Sequence, residues 1–196
     1  CMSTGGYSTK NASIAYWNSP YIEYIIALFM CVGATNITLI YFFINGKFGK
    51  LLKDEETRWF YSFVALSVAV VTAWVYLKGF ESDFEAAFRQ SAFQVSTLIS
   101  TCGFGTVDYL PWGPFFWMIA LILMTVCGCS GSTSGGIKMG RIVILTKNLL
   151  NVFKKQTHPH AVVPVRMNGH VVSSDIVHRV LAFVSVYITL IIISCL

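Results

Sequence analysis

Three long apolar blocks set the plan of the chain. Tyr24 to Asn45, Phe60 to Leu77 and Val180 to Leu196 contain no Asp, Glu, Lys or Arg. Each is close to the roughly 20 residues with which an α-helix crosses the hydrocarbon core of a bilayer. Buried helices of a large soluble core are the alternative source of such blocks, and three of them in one short chain disfavour it. Two further stretches behave differently. Asp83 to Ile99 starts polar, carries apolar residues at Phe84, Ala87, Phe88 and Phe93, and is too short to span; it reads as a half-helix dipping into the membrane. Pro114 to Thr125 is apolar and aromatic but runs into Gly128-Cys129-Ser130-Gly131-Ser132-Thr133-Ser134-Gly135-Gly136, four glycines and four hydroxyl residues in nine. Glycine costs a helix about 1 kcal/mol relative to alanine, so the helix is expected to break there, near mid-membrane, and to resume to about Phe153.

Composition and charge sharpen this picture. The 196 residues are 55% hydrophobic and 12% charged, about half the charged share of an ordinary soluble domain. The net charge of +5 says less than its placement, and no nucleic-acid partner is read from it. Lys47, Lys50, Lys53 and Arg58 follow the first block; Lys138, Arg141, Lys147, Lys154, Lys155, Arg166 and Arg179 follow the glycine-rich stretch. Lys and Arg concentrate on the cytoplasmic side, so both connections are expected there, with residues 78–112 and the stretch before residue 22 facing outward. The six cysteines show no paired CxxC spacing, and His158, His160, His170 and His178 sit in or beside a proline-bearing linker; neither set reads as a metal site. The chain opens inside a motif and closes inside an apolar helix, so both ends read as cuts through a longer membrane domain.

The most informative feature is an internal repeat. Ser3-Thr4-Gly5-Gly6-Tyr7-Ser8-Thr9 returns as Ser100-Thr101-Cys102-Gly103-Phe104-Gly105-Thr106, each copy followed by a polar or proline-bearing stretch and an apolar helix. Two crossings between the copies bring both to one face, as the charges require. The order outer helix, half-helix, glycine motif, inner helix then places an irregular Ser/Thr/Gly backbone at membrane depth, which is tolerated only where it is buried in protein or lines a water-filled path. Backbone carbonyls there can replace the hydration shell of a cation without a trapping full charge, and Gly6 and Gly103 can take backbone angles closed to other residues. The partly negative C-terminal end of the half-helix would favour a cation on that path. Tyr7 and Phe104 are expected to pack behind the loops. Asp108 is open between a cation-gathering role at the mouth and a turn or cap role.

The broken stretch 128–136, by the same rule, is expected to face the path from the cytoplasmic side as a movable gate. A helix-packing surface of small residues is the alternative. A nucleotide phosphate loop is excluded, because Gly131 to Lys138 lacks the Gly-Lys-Ser/Thr ending and no strand precedes it. Lys138 is expected at the inner mouth and Arg141 at the lipid headgroups.

These segments resemble the Trk/Ktr/HKT superfamily of potassium and sodium transporters, specifically its bacterial TrkH type. The resemblance rests on Met2 to Thr9, Thr101 to Thr106, Gly128 to Lys138 and His158-Pro159-His160-Ala161-Val162-Val163-Pro164-Val165-Arg166, and it covers essentially the whole chain. It implies an all-α polytopic membrane protein built from four outer helix–pore helix–filter loop–inner helix units around one pore. Residues 1–56 would end the second unit, 57–156 form the third with its interrupted inner helix, and 157–196 begin the fourth with a cytoplasmic linker and outer helix. It implies potassium coordination at Thr4, Gly5, Gly6, Thr101, Cys102 and Gly103, and a gating loop at Gly128, Gly131, Ser132, Thr133, Ser134, Gly135 and Gly136 with Lys138. Cys102 stands where a threonine is more usual, which leaves a carbonyl ligand intact but not a hydroxyl. The resemblance further implies K+ as the transported ion with no covalent cofactor, a multi-pass location in the bacterial cytoplasmic (inner) membrane, a homodimer, and a cytosolic, TrkA-like nucleotide-binding regulatory ring as partner.

Other classes fit less well. An intramembrane protease needs paired acids or a Ser/His pair within spans, and the three blocks hold no acid. A structural subunit explains the apolarity but not the repeated loop, while a sodium-preferring member of the same superfamily remains compatible. The charge reading predicts that a cysteine introduced at Lys53 is labelled by a membrane-impermeant reagent from the cytoplasmic side only.

Overall fold

The computed structural model describes residues 4–46, 48–157 and 164–195. Met2 and Ser3 of the first motif and the run 158–163 therefore lie outside the described residues. The fold is helical: α1 (Pro20–Gly33), α2 (Ile37–Ile44), α3 (Phe48–Lys53), α4 (Glu55–Leu77), α5 (Phe84–Ile99), α6 (Gly113–Val126), α7 (Met139–Thr157) and α8 (Ser174–Cys195), with a two-stranded hairpin of β1 (Arg166–Met167) and β2 (His170–Val171) before α8. Two helices, Glu55–Leu77 and Ser174–Ser194, are individually long and apolar enough to cross a membrane. Their large exposed side chains include the aliphatic Leu66, Leu77, Leu190 and Ile193, as suits a lipid-facing surface.

Local signals account for the helix starts. Asp54 caps α4, its carboxylate accepting from the Thr57 amide at 2.8 Å and the Thr57 hydroxyl at 2.7 Å, and acids at Glu55 and Glu56 complement the helix dipole. Asp83 caps α5 through the Glu85 amide. At 16 residues, α5 reaches roughly 24 Å, short of the roughly 30 Å hydrocarbon core. It is the half-helix expected, but its buried face is Ala87, Ser91 and Phe93 to Ile99, while Phe84 and Phe88 are exposed.

One expectation fails. Tyr24 to Asn45 is not one continuous helix: α1 and α2 meet at a 109° bend across residues 34–36, a broken span or a re-entrant loop. Thr35 turns its hydroxyl back onto the Cys31 carbonyl at 3.0 Å, Asn36 caps α2 by accepting from the Thr38 amide, and the exposed Ala34 carbonyl is taken by the Cys129 amide at 2.9 Å. A neighbouring segment thus supplies the bond that a continuous helix would have made internally.

The main core joins Phe60, Val64, Val71 and Val75 of α4 to Ala87, Val95, Leu98 and Ile99 of α5 and to Phe116, Ala120 and Leu123 of α6. Trp74 donates its indole N–H to the Trp112 carbonyl at 3.0 Å and packs on Phe115, fixing the entry to α6. Between α1 and α5 lies a buried ion pair, Arg89 Nη1 to Glu23 Oε2 at 2.7 Å, with side chains 16% and 8% exposed. On the opposite end, the hairpin turn Asn168-Gly169, both residues at positive φ, folds against α7 and α8 through Ile144, Val165 and Val177.

Removing one partner of a buried pair leaves the other charge uncompensated. Arg89→Ala should cost about 3 kcal/mol, read as a lowered Tm of the full-length protein in detergent. Glu23→Gln combined with Arg89→Met should cost markedly less than Arg89→Ala alone.

Candidate functional site

The two glycine motifs meet. A Cβ added to Gly6 would stand 2.7 Å from the Cys102 carbonyl oxygen and 3.2 Å from that of Gly103, and one on Gly103 would reach the Gly6 Cα at 3.7 Å. Both copies carry the same backbone alternation. Thr4 and Gly6 have φ of 44° and 64°, Thr101 and Gly103 of 56° and 81°, with the intervening Gly5 and Cys102 not left-handed. Alternating hand turns successive carbonyls toward a common side, and the first turn-forming position in each copy is a threonine held where L residues are strained. The similarity of sequence is therefore a similarity of backbone.

The second copy is held by α5. The Thr101 amide donates to Leu98 O at 3.2 Å and the Cys102 amide to Thr97 O at 3.1 Å, so the carbonyl end of α5 runs directly into the motif. Gln94, buried on α5, donates to Val107 O beyond it. Gly105 ties the copies together: its carbonyl accepts from the Ile14 and Ala15 amides, and its amide donates to Ser13 Oγ. Cys102 and Phe104 pack with Ile14, Ala27, Met30 and Phe93. Tyr7 does not share that role, being 93% exposed. Asp108 accepts from the Leu110 amide at 3.0 Å, the turn-capping role.

Between Val126 and Met139 the helix is interrupted, and the intervening loop sits against both motifs. Thr4 donates its hydroxyl to Thr133 O at 3.4 Å, and the Gly135 amide donates to Thr101 Oγ1 at 3.3 Å. The loop also fills the bend of the first helix pair. The Cys129 amide reaches Ala34 O, the Ile37 amide reaches Gly131 O, and the Thr133 hydroxyl reaches Gly33 O. Inside the loop, Ser134 Oγ accepts from the Gly128 amide at 3.0 Å and Ser132 Oγ donates to Cys129 O at 2.6 Å. The alternative of a helix-packing surface fails here, because the glycine stretch is not a helix.

Lys138 is not a free cation. Its Nζ folds back onto Ser132 O at 3.0 Å, Ser132 Oγ at 3.3 Å and Ser134 O, binding the loop to itself. Arg141 lies over the Phe183 ring of α8 at 4.0 Å. The residue that sequence reasoning missed is Glu56. It is 6% exposed, and its Oε1 accepts from the Ser130 amide and, at 2.9 Å, from the Gly140 amide. It therefore pins both flanks of the loop and satisfies an otherwise orphan amide at the start of α7. Among the described residues no group of His, Cys, Asp or Glu is arranged to hold a metal ion.

A bundle of spanning and half-length helices with facing glycine-rich loops defines a polytopic membrane protein. A family model described as TrkH, cation transport protein, matches residues 1–196, and the chain belongs to that family. It is 32% identical over its whole length to the Trk system potassium uptake protein TrkH of Escherichia coli strain K12, covering 41% of that protein. It is 33% identical over 95% of its length to the Trk system potassium uptake protein TrkG of the same strain, covering 38%. The crystal structure of the potassium transporter TrkH from Vibrio parahaemolyticus superposes with a TM-score of 0.92 at 30% identity, over 98% of this chain and 42% of that one. The chain thus spans about two fifths of the length of these relatives. Membership places it among transport proteins, not enzymes.

The loop's glycines are not equivalent. Gly136 has φ 81°, and a Cβ there would fall 2.6 Å from Cys127 Sγ and 2.9 Å from Thr125 O; Gly135 has open space and no positive φ. Gly136→Ala should cost about 1 to 3 kcal/mol, while Gly135→Ala should stay within about 0.5 kcal/mol of the parent, both read by thermal unfolding of the full-length protein.

Proposed function

We propose that the full-length protein carries potassium ions across the cytoplasmic (inner) membrane through one pore. Its selectivity filter includes Thr4, Gly5 and Gly6 from one unit and Thr101, Cys102 and Gly103 from the next. The observation that carries this reading is the convergence of two Thr-x-Gly segments with the same left-handed positions, the Cys102 and Gly103 carbonyl oxygens lying against Gly6, at the carbonyl end of a half-length helix. Such a backbone offers a dehydrated cation neutral oxygen ligands. The names of the relatives, potassium uptake proteins of a Trk system, supply the ion. They also favour assembly with further components, for which a homodimer and a cytosolic nucleotide-binding ring are the candidates.

In this reading residues 1–56 close one pore unit, 57–156 make the next, and 157–196 open a third. The loop of Gly128, Gly131, Ser132, Thr133, Ser134, Gly135 and Gly136, stiffened by Lys138, is the gate. Its bonds to Thr4 and Thr101 support a position that blocks the exit from the filter. Hydrogen bonds to single hydroxyls and carbonyls of neighbouring segments are weak enough, at about 1 kcal/mol each, for the loop to move without unfolding the bundle.

The test is rubidium uptake by the full-length protein in cells lacking other potassium uptake. Gly103→Val should reduce uptake by more than about tenfold, since the φ of 81° at Gly103 is closed to a β-branched residue. Deletion of residues 128–136 should raise uptake or remove its regulation. Unaltered uptake by a membrane-inserted Gly103→Val protein would contradict the filter assignment.

A further inference from the structure

The first turn of α4 faces two ways. Inward, the Glu56 carboxylate reaches the Ser130 and Gly140 amides. The approach depends on Gly140 having no side chain, since a Cβ there would lie 2.9 Å from Glu56 Oε1 and 2.8 Å from Ser130 Oγ. Outward, the two preceding acids hold the β-hairpin. Asn168 Oδ1 accepts from the Glu55 amide at 2.8 Å, the Asn168 amide donates to Glu55 Oε2 at 3.2 Å, and Asn168 Nδ2 donates to Asp54 Oδ1 at 2.8 Å. Lys147 of α7 closes the arrangement by bonding both Glu55 and Arg166 O. Three consecutive acids in one helical turn therefore connect the loop on one side to the hairpin on the other.

We propose that Glu56 is the latch of the gating loop and that the hairpin Arg166–Val171, through Asn168 and the first turn of α4, sets whether the latch is engaged. This deepens the gating role proposed above and rests on it. A carboxylate in this position suits a latch. It is buried, so its bonds to two amides are shielded from water, and it contributes through a single oxygen, so a small rotation of the turn breaks both bonds together. The hairpin lies at the same end of the bundle as the basic residues read as cytoplasmic, where Lys53, Arg58 and Lys147 surround it. A displacement of Asn168 pulls on the Asp54 and Glu55 bonds, and Glu56 is the next residue along the same helical turn.

Reach and charge can be separated at this position. In Glu56→Gln an amide oxygen stands where Oε1 stands and accepts the same two bonds without charge. In Glu56→Asp the charge stays but retreats by one methylene. Asn168→Gly removes the side chain while keeping the positive φ of the turn. The full-length variants are reconstituted in vesicles, rubidium flux is measured, and loop exposure is read separately as maleimide labelling of Cys127 and Cys129, both buried in the latched loop, by peptide mass spectrometry. Glu56→Ala and Glu56→Asp should raise flux and labelling by about tenfold, a typical coupling between linked sites. Glu56→Gln should stay near the parent. Asn168→Gly should raise both readouts less, and should add nothing in the Glu56→Ala background. The proposal is overturned if Glu56→Ala leaves labelling unchanged, if Glu56→Asp behaves as the parent while Glu56→Gln is released, or if the two sites contribute independently. If labelling follows the expected pattern while no variant, parent included, passes rubidium, the latch stands and the transport reading falls. Any variant that melts below the parent in detergent is judged by Glu56→Gln and Asn168→Gly, which decide the same question with the bundle intact.

Discussion

A peptide group at membrane depth has no water to turn to, and an unwound segment there exists only if something else bonds its amides and carbonyls. The loop between α6 and α7 meets that demand with unusually short-range means. Its partners are the carbonyls of Gly33 and Ala34, the amide of Ile37, the hydroxyls of Thr4 and Thr101, its own Ser132 and Ser134, and the Glu56 carboxylate. The glycines follow from this. At Gly128 an added Cβ would come within 2.5 Å of Ala34 O, and at Gly131 within 3.1 Å of Asn36 Oδ1, so backbones that must touch can carry no side chain between them.

The same constraint explains why two helix breaks occur and not one. The α1–α2 bend exposes carbonyls that no continuation of α1 satisfies, and the α6–α7 loop carries amides that no continuation of α6 satisfies. Each break completes the other. The glycine motifs are a third irregular region, with the loop bonded to them, so these three regions form one contiguous polar layer beside the apolar core built by α4, α5 and α6.

Much of this was legible before any coordinates. Charge-free blocks marked the α4 and α8 spans, the half-length of α5 followed from its polar start, and the repeated Thr-x-Gly motif announced two segments of like backbone. What was not legible depended on distant partners. Residues 34–36 contain no glycine or proline, so local propensity did not mark the bend; the Cys129 amide decides it. Glu56 sits in a charged connection and reads as solvated, although three successive acids before an apolar run are a helix-start signature that invites the question of where each points. The tether of Lys138 to Ser132 and Ser134 cannot be deduced from spacing. The hairpin, by contrast, was foreshadowed by Asn168-Gly169, the strongest short turn signal in the linker, which the attention to histidines and prolines there obscured.

The tether of Lys138 has one more consequence. Because its ammonium is bonded to loop carbonyls, the loop carries a positive charge wherever it goes, while the opposing carboxylate stays on α4. Moving a unit charge through a full membrane potential of 100 mV is worth about 2.3 kcal/mol. In the gating reading, a loop that withdraws toward the cytoplasm moves with the field when the cell interior is negative, and gains less from it as the membrane depolarises. On that reading the tethered charge gives the loop's movement a fractional valence, and a hyperpolarised cell would find the path easier to open.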